Sequence, residues 1–513
     1  MKGIVTTKSE LRKTIFKEVA NLAYTNGGAK ELSLLPYKIV PNDIANFRDT
    51  LFNERAIVSD RLRAAMGLKV HPVARDRHLS SADDFDKCDI DEKYIDGPLV
   101  NVITYACHGC AEKRVIVTNG CQGCFEHPCK EVCPKKAISM VDGKSHIDQS
   151  LCVKCGRCAD VCQYRAIIKQ DRPCLRVCGV KAIENDEYGR ARINKDKCVS
   201  CGQCMVTCPF GAIVDKGQIY QTIKATQSGP VIAIVAPAIA GQFAGLNGHN
   251  IVPLFKKLGF SDVYDVAVGA DLCTIEEGSD FLNEVPGKHA WMGTSCCPAW
   301  AQMIRNEFKD LADNVSMALT PMVLTARLVK DIHPEAKICF VGPCTAKKFE
   351  ASRTEIKSYV DFVLTFEELG GMMAAKDIKI EELEYSEDEK VIFNRSSADG
   401  KGFAAAGGVA QAVVNFAKDT AGVDVNVVNA TGLEDCKKML MLAKVHRYDG
   451  MLLEGMACPG GCITGPGTIA SEQLGKMRLK ETQTKDSTFT GAKDTIFKDK
   501  LDELVQFKLS GNE

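Results

Sequence analysis

The chain has 513 residues, enough for about three and a half domains of ordinary size. Its residues are 45% hydrophobic and 26% charged, as in folded globular proteins and unlike disordered chains. Lys and Arg total 65, Asp and Glu total 66, and the net charge of −1 argues against a dedicated nucleic-acid binder.

The first hundred residues predict a mainly helical N-terminal region, residues 1–100. Apolar residues recur at helical spacing over Leu11–Ala23 and over Asp43–Met66. The opening MKGIVTTKSELRK has no apolar run of the kind found in a signal peptide. The most apolar stretch of the chain, Pro230–Ala244, is too short to cross a bilayer. We therefore expect a cytoplasmic protein with no membrane contact.

The composition is most unusual in its 25 cysteines, sixteen of which lie between Cys107 and Cys208. A disulfide framework is not expected, because such frameworks belong to short secreted chains. The cysteines therefore indicate metal binding, either to zinc or to iron–sulfur clusters.

The cysteine-rich segment is an internal duplication. PCKEVCPKKAI at 128–138 recurs as PCLRVCGVKAI at 173–183, and CVKCGRCADVCQYRAI at 152–167 recurs as CVSCGQCMVTCPFGAI at 198–213. The rear half of each unit contains C-x2-C-x2-C-x3-C, the run with which bacterial ferredoxins hold [4Fe–4S] clusters, whereas zinc ribbons use paired C-x2-C knuckles. The spacing predicts a duplicated, bacterial-ferredoxin-like domain over residues 101–220.

The sixteen cysteines divide into four predicted ligand sets, since the fourth cysteine of each run binds the other cluster. The sets are Cys121, Cys124, Cys129 and Cys162; Cys133, Cys152, Cys155 and Cys158; Cys178, Cys198, Cys201 and Cys204; and Cys107, Cys110, Cys174 and Cys208. The two C-x2-C pairs 107–110 and 121–124 can be exchanged between units. Two clusters with unpaired thiols are the simpler alternative.

After residue 220 the pattern changes to apolar runs that alternate with amphipathic stretches. VIAIVAPAI at 231–239, AKICFVGPC at 336–344 and YDGMLLEG at 448–455 predict buried strands of an α/β domain over residues 221–475. GGVAQAVV at 407–414 predicts a helix with packing glycines, and no dinucleotide fingerprint is found. The tail, residues 476–513, is polar with a helix near 494–508. The fold class expected is a multidomain α+β and α/β protein.

Nine cysteines remain outside the duplication. Cys88, Cys273, Cys339 and Cys436 stand singly and are interpreted as small buried apolar residues. The other five lie in TSCCPAW at 294–300, GPCTAKK at 342–348 and EGMACPGGC at 454–462. These three motifs resemble the signature loops of the [FeFe]-hydrogenases, and the likeness extends over about residues 220–470.

The resemblance implies an H-cluster, a [4Fe–4S] cube joined through one thiolate to a two-iron unit with CO, cyanide and a bridging amine dithiolate. The implied cube ligands are Cys297, Cys344, Cys458 and Cys462, with Cys462 shared by the two-iron unit. Gly460 and Gly461 are expected to let the backbone approach the cluster without a Cβ clash.

The resemblance also assigns roles around the cluster. Cys296 matches the thiol that delivers protons to the bridging amine, with Glu277, Asp280 and Ser316 as the relay behind it. An exposed helix face is the simpler interpretation of Glu277 and Asp280. The implied pocket residues are Lys347, which hydrogen-bonds a cyanide, Met456, which core packing would also explain, and the wall residues Pro237 and Ala238.

Several positions depart from the family's usual pattern and resemble its less studied group B branch. Gly342 stands where a Met is usual, Met322 where a Gln is usual, and Ala238 replaces a hydroxyl residue. Ala299 and the sequence ITGPG after Cys462 also differ. Because polarity around a cluster tunes its potential, these departures leave the rate and the directional bias of hydrogen turnover unpredicted.

The resemblance implies a cytoplasmic enzyme of anaerobic metabolism that interconverts protons, electrons and H₂. Ferredoxin is its expected electron partner, and maturation proteins insert the two-iron unit. Two alternatives stay open: an iron–sulfur assembly protein, which is not expected to retain Cys296, Lys347 and Met456 together, and a hydrogen sensor, which carries an additional module. The oligomeric state is not predicted.

Overall fold

A computed structural model describes residues 2–41, 43–71, 80–384 and 395–506. The fold mixes helices and strands, as predicted. The N-terminal helices are α1 (Thr7–Tyr24), α2 (Ala29–Ile39), α3 (Leu51–Ala65) and α4 (Phe85–Cys88). The helix predicted over 11–23 is confirmed as α1. The pattern over 43–66 forms a helix only from Leu51, because the amides of Asn46 and Arg48 donate to the buried Glu54 carboxylate and hold the preceding segment in a loop.

The cysteine-rich region consists of short antiparallel strand pairs and single helical turns. Its strands are β1 (Val100–Val102), β2 (Arg114–Val117), β3 (Ile138–Val141), β4 (Lys144–Ile147), β5 (Ile167–Gln170), β6 (Ile183–Asn185), β7 (Ala191–Ile193) and β8 (Ile213–Asp215). The pairs are β1 with β8, β2 with β5, β3 with β4, and β6 with β7. The turns that follow or contain cysteines are α5 (Pro128–Glu131), α6 (Arg157–Asp160), α7 (Pro173–Arg176) and α8 (Gln203–Thr207).

The remaining strands form two parallel sheets. One has the order β10 (Asp262–Asp265), β9 (Val231–Val235), β12 (Lys337–Gly342) and β13 (Phe362–Thr365). The other has the order β11 (Met292–Gly293), β15 (Leu452–Met456) and β14 (Val427–Thr431). The three predicted strands are confirmed as β9, β12 and β15. Each is almost fully buried, which explains its continuous apolar sequence.

Helices cover these sheets. They are α9 (Ile219–Ser228), α10 (Ile251–Leu258), α11 (Ala267–Glu284), α12 (Pro298–Glu307), α13 (Pro321–Ile332), α14 (Thr345–Glu350), α15 (Phe366–Ala375), α16 (Ala398–Gly402), α17 (Gly408–Ala421), α18 (Leu433–Lys444), α19 (Glu472–Lys485) and α20 (Leu501–Val505). The 3-10 turns are Thr104–Ala106, Pro237–Ile239, Lys309–Asn314, Ile380–Glu382, Cys462–Thr464, Ala492–Asp494 and Lys498–Lys500. In the described part of the chain, no helix has the length and apolar character needed to cross a membrane.

Two helices were predicted in the C-terminal part of the chain. The packing glycine predicted at 407–414 is confirmed, since a Cβ on Gly408 would lie 1.9 Å from the Gly402 carbonyl oxygen. The helix predicted near 494–508 is shorter, Leu501–Val505, and residues 507 and 508 lie outside the described residues. Helix α19 was not predicted, because it is largely exposed and buries only Gly475 and Leu479.

The N-terminal helices share the largest apolar core with the four-stranded sheet. Helix α1 packs along α15, and a Cβ on Gly371 of α15 would lie only 2.4 Å from the Cβ of Phe16. Such a close crossing needs a glycine. The N-terminal region is therefore packed directly against the domain that contains the three cysteine motifs.

Candidate functional site

Four cysteines from three loops meet beyond the carboxyl ends of parallel strands, where α/β sheets commonly place their sites. Cys297 follows β11, Cys344 follows β12, and Cys458 and Cys462 follow β15. Burial raises the pKa of Cys458 well above its ordinary value, and the neighbouring charges of Cys344, Cys297 and Cys462 raise it further. These mutual effects place the four thiols side by side.

The chemistry of the four side chains fits an iron–sulfur cube. All 25 cysteines are free thiols, so none of the four is consumed in a disulfide. In the described ranges, no group of three or more His, Cys, Asp or Glu side chains is arranged around a single metal ion. A cube instead assigns each thiolate to a different iron, and soft thiolates are the ligands that such clusters use.

The two glycines of the CPGGC loop are required by their backbone conformation and by the protein around them. Gly460 and Gly461 have φ values of +86° and +91°. A Cβ on Gly460 would meet the Glu472 carboxylate at 2.9 Å, and one on Gly461 would lie 2.3 Å from the Ala406 amide nitrogen. The neighbouring protein occupies the space that a Cβ at either position would need.

Cys296 and Lys347 lie beside the four thiols. Burial raises the pKa of Cys296 well above its ordinary value, and nearby Glu277 and Cys297 add to this effect. Burial alone would lower the pKa of Lys347, but Glu350, Cys344 and Cys296 raise it. The Lys347 ammonium is 2.7 Å from a Glu350 carboxylate oxygen, although the angles do not make a hydrogen bond.

Glu277 is fully buried on α11, which is contrary to the exposed helix face considered as an alternative. One of its oxygens accepts a 2.6 Å hydrogen bond from the Ser295 amide, next to Cys296. Burial raises the pKa of Glu277 to about 7, and the charges of Glu276 and Asp280 contribute to the rise. A carboxyl with this pKa changes protonation near neutral pH.

Of the other two relay candidates, Asp280 acts on this carboxyl and Ser316 is hydrogen-bonded to Gly293 and Ala318. Asp280 is one turn further along α11, is partly exposed, and acts on Glu277 through its charge. Ser316 is buried, its amide donates to the Gly293 carbonyl, and its hydroxyl oxygen accepts a 3.1 Å bond from the Ala318 amide. Their proton-relay roles remain predictions.

Three of the predicted wall residues, Met456, Ala238 and Met322, are buried. Met456 packs in the apolar group that contains Cys296 and Cys297. Ala238, in the turn Pro237–Ile239, and Met322, on α13, belong to the large core against which Cys462 packs. Pro237 begins that turn and is partly exposed.

The structure explains why position 342 is a glycine. It ends β12, and a Cβ there would lie 2.4 Å from the Phe340 ring and 3.3 Å from the Ala236 Cβ. The Phe340 ring therefore occupies space that a larger side chain would need.

We expect Gly342→Met to destabilise the protein by about 1–3 kcal/mol, the usual cost of overpacking a core. The measurement is the apparent melting temperature, with Phe340→Leu and the double variant completing a cycle. The double variant should lose less than the sum of the two single losses. A Gly342→Met protein as stable as the wild type would show that the Phe340 ring moves aside freely.

Several contacts between accessory cysteines fall within the predicted sets. Cys133, Cys152, Cys155 and Cys158 line one cavity. The charges of Cys201, Cys198 and Cys178 raise the pKa of Cys204 beyond the effect of burial. Burial and the charges of Cys208 and Cys107 likewise raise the pKa of both Cys110 and Cys174.

In the remaining set, Cys129 and Cys121 both contact Ser145. The Cys129 sulfur is 3.2 Å from the Ser145 hydroxyl, and the Ser145 amide donates to the Cys121 sulfur at 3.4 Å. This geometry favours the assignment of Cys121 and Cys124 to the set with Cys129 and Cys162, over their exchange with Cys107 and Cys110. The ligand assignments remain predictions.

The structure adds residues that sequence patterns missed. The Gln203 amide nitrogen donates to the Cys458 sulfur at 3.2 Å, which joins the accessory region directly to the four-thiol site. Buried Glu454 accepts hydrogen bonds from the Gly407 and Ala410 amides, and its charge acts on Cys296. The position of Gln203 inside a C-x2-C-x2-C run is a sequence feature that could have indicated its role. No sequence feature indicated Glu454 or Glu350.

Comparison with known families agrees with this geometry. Residues 229–466 match the iron only hydrogenase large subunit, C-terminal domain, and this range contains all four thiols. The chain contains an iron-only hydrogenase-like domain. Residues 145–168 match a 4Fe-4S binding domain, and residues 168–219 match the LdpA Fe-S cluster-binding domain. The hydrogenase-like region and its iron–sulfur binding domains therefore occupy adjacent parts of one chain.

Relatives of this hydrogenase-like chain are distant. It is 28% identical to iron hydrogenase 1 of Clostridium pasteurianum over 411 residues, which cover 69% of this chain and 71% of that protein. It is 29% identical to the NADP-reducing hydrogenase subunit HndD of Solidesulfovibrio fructosivorans, over 50% of this chain and 53% of that one. A solved variant of [FeFe]-hydrogenase HydA1 from Chlamydomonas reinhardtii shares 23% identity, covers 53% of this chain and 89% of its own, and gives a TM-score of 0.44.

Proposed function

We propose that the protein is an [FeFe]-hydrogenase that catalyses 2 H⁺ + 2 e⁻ ⇌ H₂ reversibly. The observation that carries the proposal is the convergence of Cys297, Cys344, Cys458 and Cys462 beside Cys296 and Lys347. The four thiolates would hold the cube of an H-cluster, with Cys462 shared by its two-iron unit. When bound, this group supplies the iron chemistry that joins protons and electrons.

Lys347 and Cys296 supply a buried cation and a buried proton donor at this site. The Lys347 ammonium, held by Glu350, is suited to bind a small anionic ligand such as cyanide. Cys296 is suited to hold a proton on Sγ, because its raised pKa keeps the thiol neutral near neutral pH. Pro237, Ala238, Met322, Gly342 and Met456 would form the apolar walls.

Protons would reach Cys296 from Asp280 and Ser316 by way of Glu277. Glu277 has a pKa of about 7, so both its protonation states are populated near neutral pH. Its bond to the Ser295 amide fixes one oxygen next to Cys296, and the second oxygen has no hydrogen-bond partner among the described residues. That oxygen is available to carry a proton.

We expect Glu277→Gln to lower hydrogen evolution by about 10²–10⁴-fold, since positioned proton transfer typically contributes that much. The wild type should show a protonated-carboxyl infrared band that disappears as the pH rises through about 7, because Glu277 loses its proton there. The variant should lack this band at every pH. Ser279→Ala, a partly exposed neighbour on the same helix, is the control and should keep the band and the activity. A variant with wild-type turnover would remove Glu277 from the relay.

Electrons would travel through up to four accessory [4Fe–4S] clusters in two ferredoxin-like units over residues 101–220. The set that includes Cys201 is next to the H-cluster site, because Cys201 and Cys297 interact electrostatically and Gln203 contacts Cys458. Ferredoxin is the proposed electron donor and acceptor, and maturation proteins would insert the two-iron unit. We place the enzyme in the cytoplasm of an anaerobic cell and in the group B branch.

The direct test is hydrogen evolution from reduced methyl viologen by anaerobically matured protein, with unmatured protein as the control. We expect evolution from the matured sample alone. Matured protein that contains iron but neither evolves nor consumes hydrogen would contradict the proposal and favour the assembly-protein alternative.

A further inference from the structure

Three cationic side chains of the N-terminal region donate hydrogen bonds to main-chain carbonyls around Cys208. Lys8 Nζ donates to the carbonyls of Val206 and Cys208, both at 3.1 Å. Arg48 Nη2 donates to the Phe210 carbonyl at 3.2 Å, and Arg61 Nη2 donates to the Gly211 carbonyl. Two helices and one loop of the N-terminal region thus converge on residues 206–211.

Arg61 is connected to the Cys208 sulfur through a single peptide group. Its guanidinium donates to the carbonyl oxygen of Gly211, and the amide of the next residue, Ala212, donates to Cys208 Sγ at 3.4 Å. A cation on the carbonyl end polarises the peptide and strengthens the donor at its other end, because hydrogen bonds in series reinforce one another. A charge on Arg61 therefore acts on Cys208.

Arg61 is also a buried cation without a buried counter-charge. It is 6% exposed, and within the described ranges it has no ion pair and its Nε has no hydrogen-bond partner. Asp215 lines the same small cavity, but its carboxylate is 2.9 Å from Lys348 Nζ. Burial and the nearby charge of Arg12 lower the pKa of Arg61 to about 10, whereas Cys208 raises it.

An unpaired buried charge is costly, so a compensating negative charge is expected close to Arg61. In the proposed function, Cys208 belongs with Cys107, Cys110 and Cys174 to one accessory ligand set. A [4Fe–4S] cluster with four thiolates carries net negative charge, which increases by one on reduction. The cations of the N-terminal helices lie where they would stabilise that charge.

We propose that Arg61, supported by Lys8 and Arg48, is a positioning residue that raises the reduction potential of the cluster held by Cys107, Cys110, Cys174 and Cys208. This inference rests on the accessory clusters of the proposed function. It gives the N-terminal helical region a role in the electron path. Its cations stabilise an electron on the accessory cluster that Cys208 would help to hold.

The test is a redox titration of anaerobic holoprotein followed by electron paramagnetic resonance. In Arg61→Met we expect one midpoint potential to become more negative, so that the ratio of reduced to oxidised cluster at a fixed potential falls about tenfold, or 59 mV for one electron. The other midpoints should stay unchanged. Lys8→Met, which removes a less buried cation, should shift the same midpoint in the same direction.

Arg55→Met is the matched control, since Arg55 lies on the same helix and donates to the Val40 carbonyl. It should move no midpoint. Iron content and the far-ultraviolet circular dichroism spectrum verify that each variant is folded and loaded. If Arg61→Met fails to fold, the midpoint potential measured in Lys8→Met tests the inference. Unchanged potentials in loaded variants overturn the inference alone, whereas wild-type protein without accessory-cluster signals overturns the proposed function as well.

Discussion

Replacing Cys296 with alanine is expected to lower hydrogen evolution by at least about 100-fold while leaving the iron content at the wild-type value. The charges of Glu277 and Cys297 both act on this thiol, so under the proposed function it would pass a proton between the relay and the cluster site. Alanine has no exchangeable proton and removes only one heavy atom from the side chain. Turnover and iron content are measured on the same matured sample.

Cys339→Ala is the matched control for this experiment. Cys339 is a fully buried thiol on β12, as the sequence predicted for the single cysteines, and it has no proposed role at the site. Its removal should leave turnover near the wild-type rate. If Cys296→Ala retains full turnover, protons reach the site by another route and Cys296 is not part of it.

Replacing Cys344 with alanine is expected to remove the cube and abolish hydrogen turnover. Cys344 is the one proposed ligand on the loop after β12, and no other cysteine on that loop can replace it. Before the two-iron unit is inserted, the variant should bind about four irons fewer than the wild type, which would then hold about twenty in five cubes. Iron and sulfide analysis measures the loss.

The accessory clusters provide the internal control for Cys344→Ala. Their paramagnetic signals should persist, because their predicted ligands lie between Cys107 and Cys208 and are untouched by the substitution. Cys436→Ala, at another fully buried thiol, should lose no iron. Wild-type iron content in Cys344→Ala would show that Cys344 is not a ligand.

Local sequence patterns predicted the parts of the fold that depend on local chemistry. The strands at 231–235, 337–342 and 452–456 were recognisable because they are buried on both faces and hence uniformly apolar. The single cysteines Cys88, Cys273, Cys339 and Cys436 are buried as predicted. Helix α19 was missed, since it buries only two residues and has little periodicity to detect.

Contacts between distant segments were beyond such patterns. Neither Gln203 nor Glu454 lies near its partner in the sequence: 255 residues separate Gln203 from Cys458, and Glu454 binds amides 44 and 47 residues away. The attachment of α1 to α15 depends in the same way on a crossing that only the folded chain reveals. Residue types at a given spacing indicate a ligand set, whereas the surrounding charges depend on which elements pack together.

Infrared spectroscopy of anaerobically matured protein tests most directly whether Cys297, Cys344, Cys458 and Cys462 hold an H-cluster. CO and cyanide stretches should be present in the matured wild type, absent before maturation, and absent in Cys344→Ala. Matured wild-type protein with a full complement of iron and no such bands would contradict the account.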